Sequence, residues 1–72
     1  MKHTASFKIE DDYIPLIGLL KAAGIARTGG EAQMLVEEGE VTVNGQPESR
    51  KRAKIRSGDL VECGGRMVRV VR

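Results

Sequence analysis

Basic side chains are concentrated in one short stretch of this 72-residue chain. Five of the seven residues from 50 to 56 are Lys or Arg, and this stretch follows an alternating strand pattern at 41–43 and the Asn44-Gly45 turn signal. Guanidinium groups bind phosphate oxygens bidentately and ammonium groups bind them as point charges. We therefore predict a polyanion-binding loop. The alternative is a solvated basic loop that serves only solubility.

The charges of the chain are distributed unevenly around a net charge of +2. Residues 1–49 contain four basic and eight acidic residues, a net of −4, whereas residues 50–72 contain eight basic and two acidic residues, a net of +6. Such asymmetry is typical of contact with nucleic acid or an anionic membrane. Because no apolar run approaches the roughly 20 residues that span a bilayer and no secretory signal is visible, we expect a cytoplasmic protein without membrane contact.

Catalytic groups and stacking surfaces are both scarce. The single His3 and the single Cys63 offer no metal cluster and no Cys-His nucleophile. The glycines of residues 28–31 lack the preceding strand and the Gly-Lys-Ser/Thr of a nucleotide loop. We therefore predict no catalytic residues, no metal and no cofactor. Phe7 and Tyr13 are the only aromatic residues, which argues against RNA binding on an aromatic platform.

The apolar pattern predicts two helices behind a first strand at residues 4–9. Pro15 fits the first turn of helix one, which we expect to run to Ala23, and the acidic residues 10–12 are expected to cap its N-terminus. Thr28 and Glu31 match the capping box of helix two, which we expect to end at Gly39.

The C-terminal part of the chain predicts strands. Residues 60–63 and 66–71 read as a hairpin around Gly64-Gly65, with Cys63 in the core, opposite Arg66. Pro47 suits an edge strand. The expected fold is α+β, with two helices packed on a small, mostly antiparallel sheet, in a single domain spanning residues 1–72.

Four segments in this order resemble the S4 (alpha-L motif) RNA-binding domain. They are Leu-Leu-Lys-Ala-Ala-Gly-Ile at 19–25, Gly-Glu-Ala at 30–32, Leu-Val-Glu-Glu-Gly-Glu-Val-Thr-Val-Asn-Gly at 35–45 and Ser-Gly-Asp at 57–59. The core of the resemblance covers about residues 16–59. The basic segment at 48–55 and the C-terminal hairpin make the chain most similar to the small free-standing bacterial proteins of the YbcJ type.

The resemblance implies that both helices and the loop after Val-Asn-Gly form one surface for structured RNA, with ribosomal RNA as one candidate. Carried over to this chain, the implied RNA-binding residues are Lys21, Arg27, Thr28, Gly29, Asn44, Gly45, Arg50, Lys51, Arg52 and Lys54. Many family members have Ser-Arg before the Glu-Ala of helix two, where this chain has Thr28-Gly29. Arg27 is the candidate replacement for that arginine.

Within the basic loop, an extended strand would place Arg50, Arg52 and Lys54 on one face, which makes them the strongest candidates. The leading hypothesis is a monomeric, non-catalytic module that binds structured RNA by phosphate and shape contacts, on the ribosome or beside another RNA-associated protein. The alternative is an adaptor that docks an acidic protein partner, such as a ribosome-associated or RNA-modifying factor.

Overall fold

The computed structural model describes residues 4–72, which form two strands, then two helices, then five further strands. The helices are α1 (Leu16–Ala22) and α2 (Gly29–Glu37). The strands are β1 (Thr4–Lys8), β2 (Ile14–Pro15), β3 (Val41–Val43), β4 (Gln46–Pro47), β5 (Lys54–Ile55), β6 (Leu60–Cys63) and β7 (Arg66–Val71). His3, predicted to bind no metal, lies outside the described residues.

The main sheet has five strands in the order β1-β7-β6-β3-β4, and β2 and β5 form a separate antiparallel pair. Among the strands of residues 4–72, only β1 and β7 run parallel to each other, so the prediction of a mostly antiparallel sheet is confirmed. The predicted hairpin register is also confirmed, with Cys63 opposite Arg66 and Val61 opposite Val68. Its tight turn requires positive φ at two positions, and Gly64 and Gly65 have φ values of 60° and 82°.

The core is aliphatic and lies between the helices and one face of the main sheet. Helical spacing places Leu16, Leu19 and Leu20 of α1 on one face, where none of the three is exposed. The other buried residues are Ile9, Ala26, Ala32, Val36, Val41, Ala53, Ile55, Val61, Cys63, Val68 and Val70. Cys63 is thus a core residue as predicted, and its burial raises the pKa of its thiol.

The two helices begin in different ways. The hydroxyl of Thr28 accepts a 3.1 Å hydrogen bond from the N–H of Glu31, which confirms the predicted cap of α2. The Glu31 carboxylate, however, accepts from the N–H of Arg27, one residue before the position that a capping box requires.

The predicted capping of α1 by the acidic residues 10–12 is wrong. Strand β2 lies between them and the helix, and the N-cap is Pro15, which makes no side-chain cap. Instead, the N–H groups of Leu16 and Ile17 donate to the backbone oxygens of Ala53 and Lys51, at 2.9 and 3.2 Å. Pairing of β2 with β5 brings these carbonyls to the helix start, so a tertiary contact replaces the local cap.

No helix within residues 4–72 is both long enough and apolar enough to cross a bilayer.

Candidate nucleic-acid interface

The basic loop, residues 50–56, is held in place by its own backbone and by two buried side chains. The carbonyl groups of Lys51 and Ala53 accept hydrogen bonds from the first residues of α1. Ala53 and Ile55 are 6% and 1% exposed and belong to the core. The charged side chains of Lys51, Arg52 and Lys54 are exposed. Contacts with the core and with the start of α1 therefore fix the backbone from which these cations project.

The basic loop is not extended, and the predicted reason for grouping Arg50, Arg52 and Lys54 is therefore wrong. The N–H of Ala53 donates to the carbonyl oxygen of Arg50 at 3.1 Å, which closes a turn at residues 51 and 52. The chain turns there because its carbonyls must reach α1 while Ala53 and Ile55 enter the core. Arg50, Arg52 and Lys54 nevertheless line one surface hollow together with Ala53.

A second and larger depression lies between the basic loop and the two helices, and we call it the basic groove. Three exposed cations from the loop stand along it, and small or apolar residues of β2 and α1 form much of the remainder. Its lining residues are Tyr13, Pro15, Ile17, Gly18, Gln33, Lys51, Arg52 and Lys54.

The helix surfaces continue the basic groove toward the junction between α1 and α2. Lys21 follows Ile17 by four residues on α1, and Gly29 precedes Gln33 by four residues on α2, so each shares a helix face with a groove residue. A β-carbon added to Gly29 would lie 4.0 Å from Cδ of Lys21, which places the Lys21 stem beside the start of α2. Two predicted site residues thus meet one helical turn from the groove.

Arg50 differs from the other loop cations because it is paired within the chain. Its Nε and Nη2 donate to the two carboxylate oxygens of Glu48 at 3.1 and 3.2 Å, and its backbone N–H donates to the same carboxylate. These hydrogen bonds lower the pKa of Glu48 and raise that of Arg50. The charge of Arg50 is therefore balanced locally, whereas Lys51 and Arg52 have no ion-pair partner among the described residues.

Asn44 and Gly45 form the tight turn between β3 and β4, with φ values of 53° and 83°. The Asn44 amide donates to Oδ1 of Asp59 at 3.0 Å, and its oxygen accepts from the N–H of Leu60 at 2.9 Å. These bonds join the Val-Asn-Gly and Ser-Gly-Asp segments of the chain. The side chain of Asn44 is thus occupied inside the fold, and neither residue lines the basic groove.

Arg27 and Thr28 lie at the junction that precedes α2. The hydroxyl of Thr28 is used by the helix cap. Arg27 is exposed, and its backbone N–H, rather than its guanidinium group, contacts Glu31. The structure therefore brings Lys51, Arg52 and Lys54 together, with Lys21 and Gly29 one turn away, and does not add Arg27 to the groove.

Sequence reasoning missed Tyr13, Gly18 and Gln33 as groove residues. The ammonium nitrogen of Lys54 lies 5.0 Å from the centre of the Tyr13 ring, a cation–π contact. The two residues meet because Pro15 of β2 pairs with Lys54 of β5. Strands of two residues have no periodicity that a sequence pattern could reveal.

Metal ligands do not cluster in residues 4–72, where no group of three or more His, Cys, Asp or Glu side chains could hold an ion.

Comparison with known proteins identifies the class to which this fold and surface belong. Residues 7–71 match the model of the S4 domain family, and the chain belongs to that family, as its resemblance indicated.

Individual relatives cover most of the chain. It is 41% identical over 59 residues to the "Putative RNA-binding protein YbcJ" of Escherichia coli K12, which covers 82% of this chain and 84% of that protein. It is 39% identical over 57 residues to the "Probable ribosome maturation protein RlbA" of Bacillus subtilis, covering 79% and 80% of the two chains. The solution structure of Escherichia coli YbcJ, described as containing an alpha-L motif involved in RNA binding, superposes with a TM-score of 0.76 at 37% identity. That superposition covers 100% of this chain and 92% of the other.

Proposed function

We propose that this chain binds structured RNA without catalysing a reaction, through phosphate and shape contacts made by the basic loop and the helix surfaces. The observation that carries the proposal is the row of exposed cations Lys51, Arg52 and Lys54 along the basic groove. Membership of the S4 domain family and the names of its relatives support the polyanion being RNA. The full proposed site is Lys21, Arg27, Thr28, Gly29, Asn44, Gly45, Arg50, Lys51, Arg52 and Lys54.

The geometry favours phosphates over base edges as the main contacts. A-form RNA hides the base edges of its deep major groove, and proteins bind its backbone and 2′-hydroxyl groups instead. The basic loop offers cations whose backbone is already fixed by α1 and the core, so ordering the loop costs little on binding. Arg52 supplies a bidentate fork and Lys51 and Lys54 supply mobile point charges.

The remaining parts of the proposal concern the domain bounds, the oligomeric state, the cellular compartment and the partner. We assign residues 1–72 to one domain with its core motif at about 16–59, acting as a monomer in the cytoplasm without a cofactor. The name of the Bacillus subtilis relative supports ribosomal RNA, or an RNA-associated protein beside it, as the setting.

Fluorescence anisotropy with a labelled RNA hairpin across a salt series tests the proposal. Changing Lys51 and Arg52 together to Gln removes two cations that have no ion-pair partner within residues 4–72. Because each phosphate that a cation neutralises contributes roughly 0.7 to 0.9 to the log–log salt slope, the slope should become shallower by about 1.4 to 1.8.

A variant with Lys8 and Arg72 both changed to Gln is the matched control, because it loses the same charge at two exposed positions away from the basic groove. Its salt slope should change by less than about 0.5. Equal effects of the two pairs would show that only net charge matters and would overturn the site. Absence of RNA binding at low salt would overturn the function and redirect the search to an acidic protein partner of the basic loop.

A further inference from the structure

Tyr13 is an aromatic residue that lies at the protein surface rather than in the core. It is 40% exposed, and within residues 4–72 Met34 is the only other large apolar side chain that is exposed. The next two residues along the chain form β2, whose pairing with β5 fixes the backbone beside the ring. A large, flat apolar surface is therefore held in solvent at the edge of the basic groove.

The ring and the loop cations have the relative placement that a nucleotide requires. Lys54 lies over the ring at 5.0 Å, and Lys51 and Arg52 line the same groove. A base has a flat π-face and its phosphate lies a few bonds away. A base that stacks on Tyr13 would displace the Lys54 ammonium toward the phosphate, which exchanges an exposed cation–π contact for stacking and an ion pair.

The rest of the groove leaves room for such a base. Gly18 lies in its lining in the middle of α1 and contributes no side chain, and Pro15 and Ile17 give apolar walls. Gln33 adds a side-chain amide whose nitrogen donates to Glu37 at 3.1 Å, so its carbonyl oxygen can accept from a base amino group.

These observations bear on which RNA is bound. In a regular duplex every base is paired and stacked inside the helix, so its face cannot reach a side chain. We propose that the basic groove holds one unpaired nucleotide of a structured RNA, with its base stacked on Tyr13 and its phosphate bound by Lys51, Arg52 and Lys54. The inference rests on the proposed function and deepens it: the substrate class is a helix bearing a bulged or looped-out nucleotide. Stacking accepts every base, so no base identity is selected strongly.

The chain supplies its own reporter for the test. It contains one Tyr and no Trp, so tyrosine emission arises from Tyr13 alone. Two labelled hairpins are compared that differ only by one bulged nucleotide, and the fully paired hairpin also corrects for absorption by RNA. The bulged hairpin should bind about tenfold more tightly and should quench tyrosine emission, which the paired hairpin leaves nearly unchanged.

Variants separate stacking from general affinity. Tyr13→Leu should lose the preference for the bulged hairpin while it still binds the paired one, and Tyr13→Phe should keep the preference. Met34→Leu is the control for altering an exposed apolar residue outside the groove, and it should behave as the unaltered protein.

The possible failures are distinguishable. If the unaltered protein binds both hairpins with equal affinity, or if the bulged hairpin does not quench tyrosine emission, the inference is overturned. The proposed function is not affected by either result. A preference that survives Tyr13→Leu also overturns the inference. Binding of neither hairpin overturns the proposed function and the inference together.

Discussion

The pair of Glu48 and Arg50 shows how a binding cation can be restrained by a neighbour two residues away. Two hydrogen bonds join their side chains, and a third joins the Glu48 carboxylate to the Arg50 backbone. A phosphate that approaches Arg50 must therefore compete with a carboxylate already in place. Glu48 should lower the affinity of the basic loop for RNA.

Glu48→Gln should strengthen RNA binding about fivefold at low salt and steepen the salt slope by roughly 0.7 to 0.9, because it frees the Arg50 guanidinium for one more phosphate. Glutamine retains an oxygen that can accept a hydrogen bond from the Arg50 backbone N–H, so the backbone conformation of residues 48–50 should be kept. Anisotropy titrations over a salt series measure both quantities.

Glu38→Gln is the control, since it removes the same charge at the end of α2. An equal gain from the two substitutions would attribute the effect to net charge and contradict the role assigned to Glu48.

Residue-level prediction from the sequence succeeded where the interaction is local and failed where it depends on a turn. Thr28 and Glu31 are three residues apart in a helix start, and this spacing alone defines the cap. The contact between Glu48 and Arg50 requires the particular backbone of a loop, which no periodicity encodes. The sequence contains too few aromatic residues for a stacking platform, yet the single ring of Tyr13, beside Lys54, enters the candidate site.

Among the elements, α1 is short and contains a glycine at an interior position. A β-carbon at Gly18 would be 3.7 Å from Cγ1 of Ile14, an ordinary contact, so the space would accept alanine. Gly24, just beyond the C-cap of the same helix, has φ of +76° and favours glycine for its backbone.

Gly18→Ala should raise the free energy of unfolding by about 0.5 to 1 kcal/mol, because alanine loses less backbone entropy in a helix. Gly24→Ala should lower it by about 1 to 2 kcal/mol, because a left-handed backbone strains a residue with a β-carbon. Urea denaturation of both variants measures the difference. Destabilisation by Gly18→Ala would mean that the groove has less room than its geometry indicates.

The elements themselves were largely predictable because their signals are local. The glycines at 24, 39, 45, 64 and 65 mark the ends of helices and strands, and all have positive φ in the structure. The sequence does not reveal strands β2 and β5, nor the backbone contacts that cap the start of α1, because the pairing of these strands joins distant parts of the chain. The same pairing creates the basic groove, which explains why the loop was predicted and the groove was not.

At the scale of the whole molecule, Cys63 reports how tightly the core is closed. It is 4% exposed, and burial, reinforced by the charge of Glu40, raises the pKa of its thiol. Both effects suppress the thiolate that reacts with disulfide reagents.

Labelling of Cys63 by a chromogenic disulfide in native buffer should be at least about a hundredfold slower than in concentrated urea, because reaction requires opening of the sheet. Cys63 is the only cysteine, so Cys63→Ala supplies the blank for the same measurement. Rates within tenfold of each other would show that the native core opens readily to reagents.

The start of α1 has a consequence for engineering. Its first N–H groups are satisfied by carbonyls of the basic loop, more than thirty residues further along the chain. Exchanging this loop for one of another length or turn would therefore remove a helix cap together with the cations. A graft that aims to change the RNA preference should keep the backbone conformation from Arg50 to Ile55 and vary only the exposed side chains of this segment.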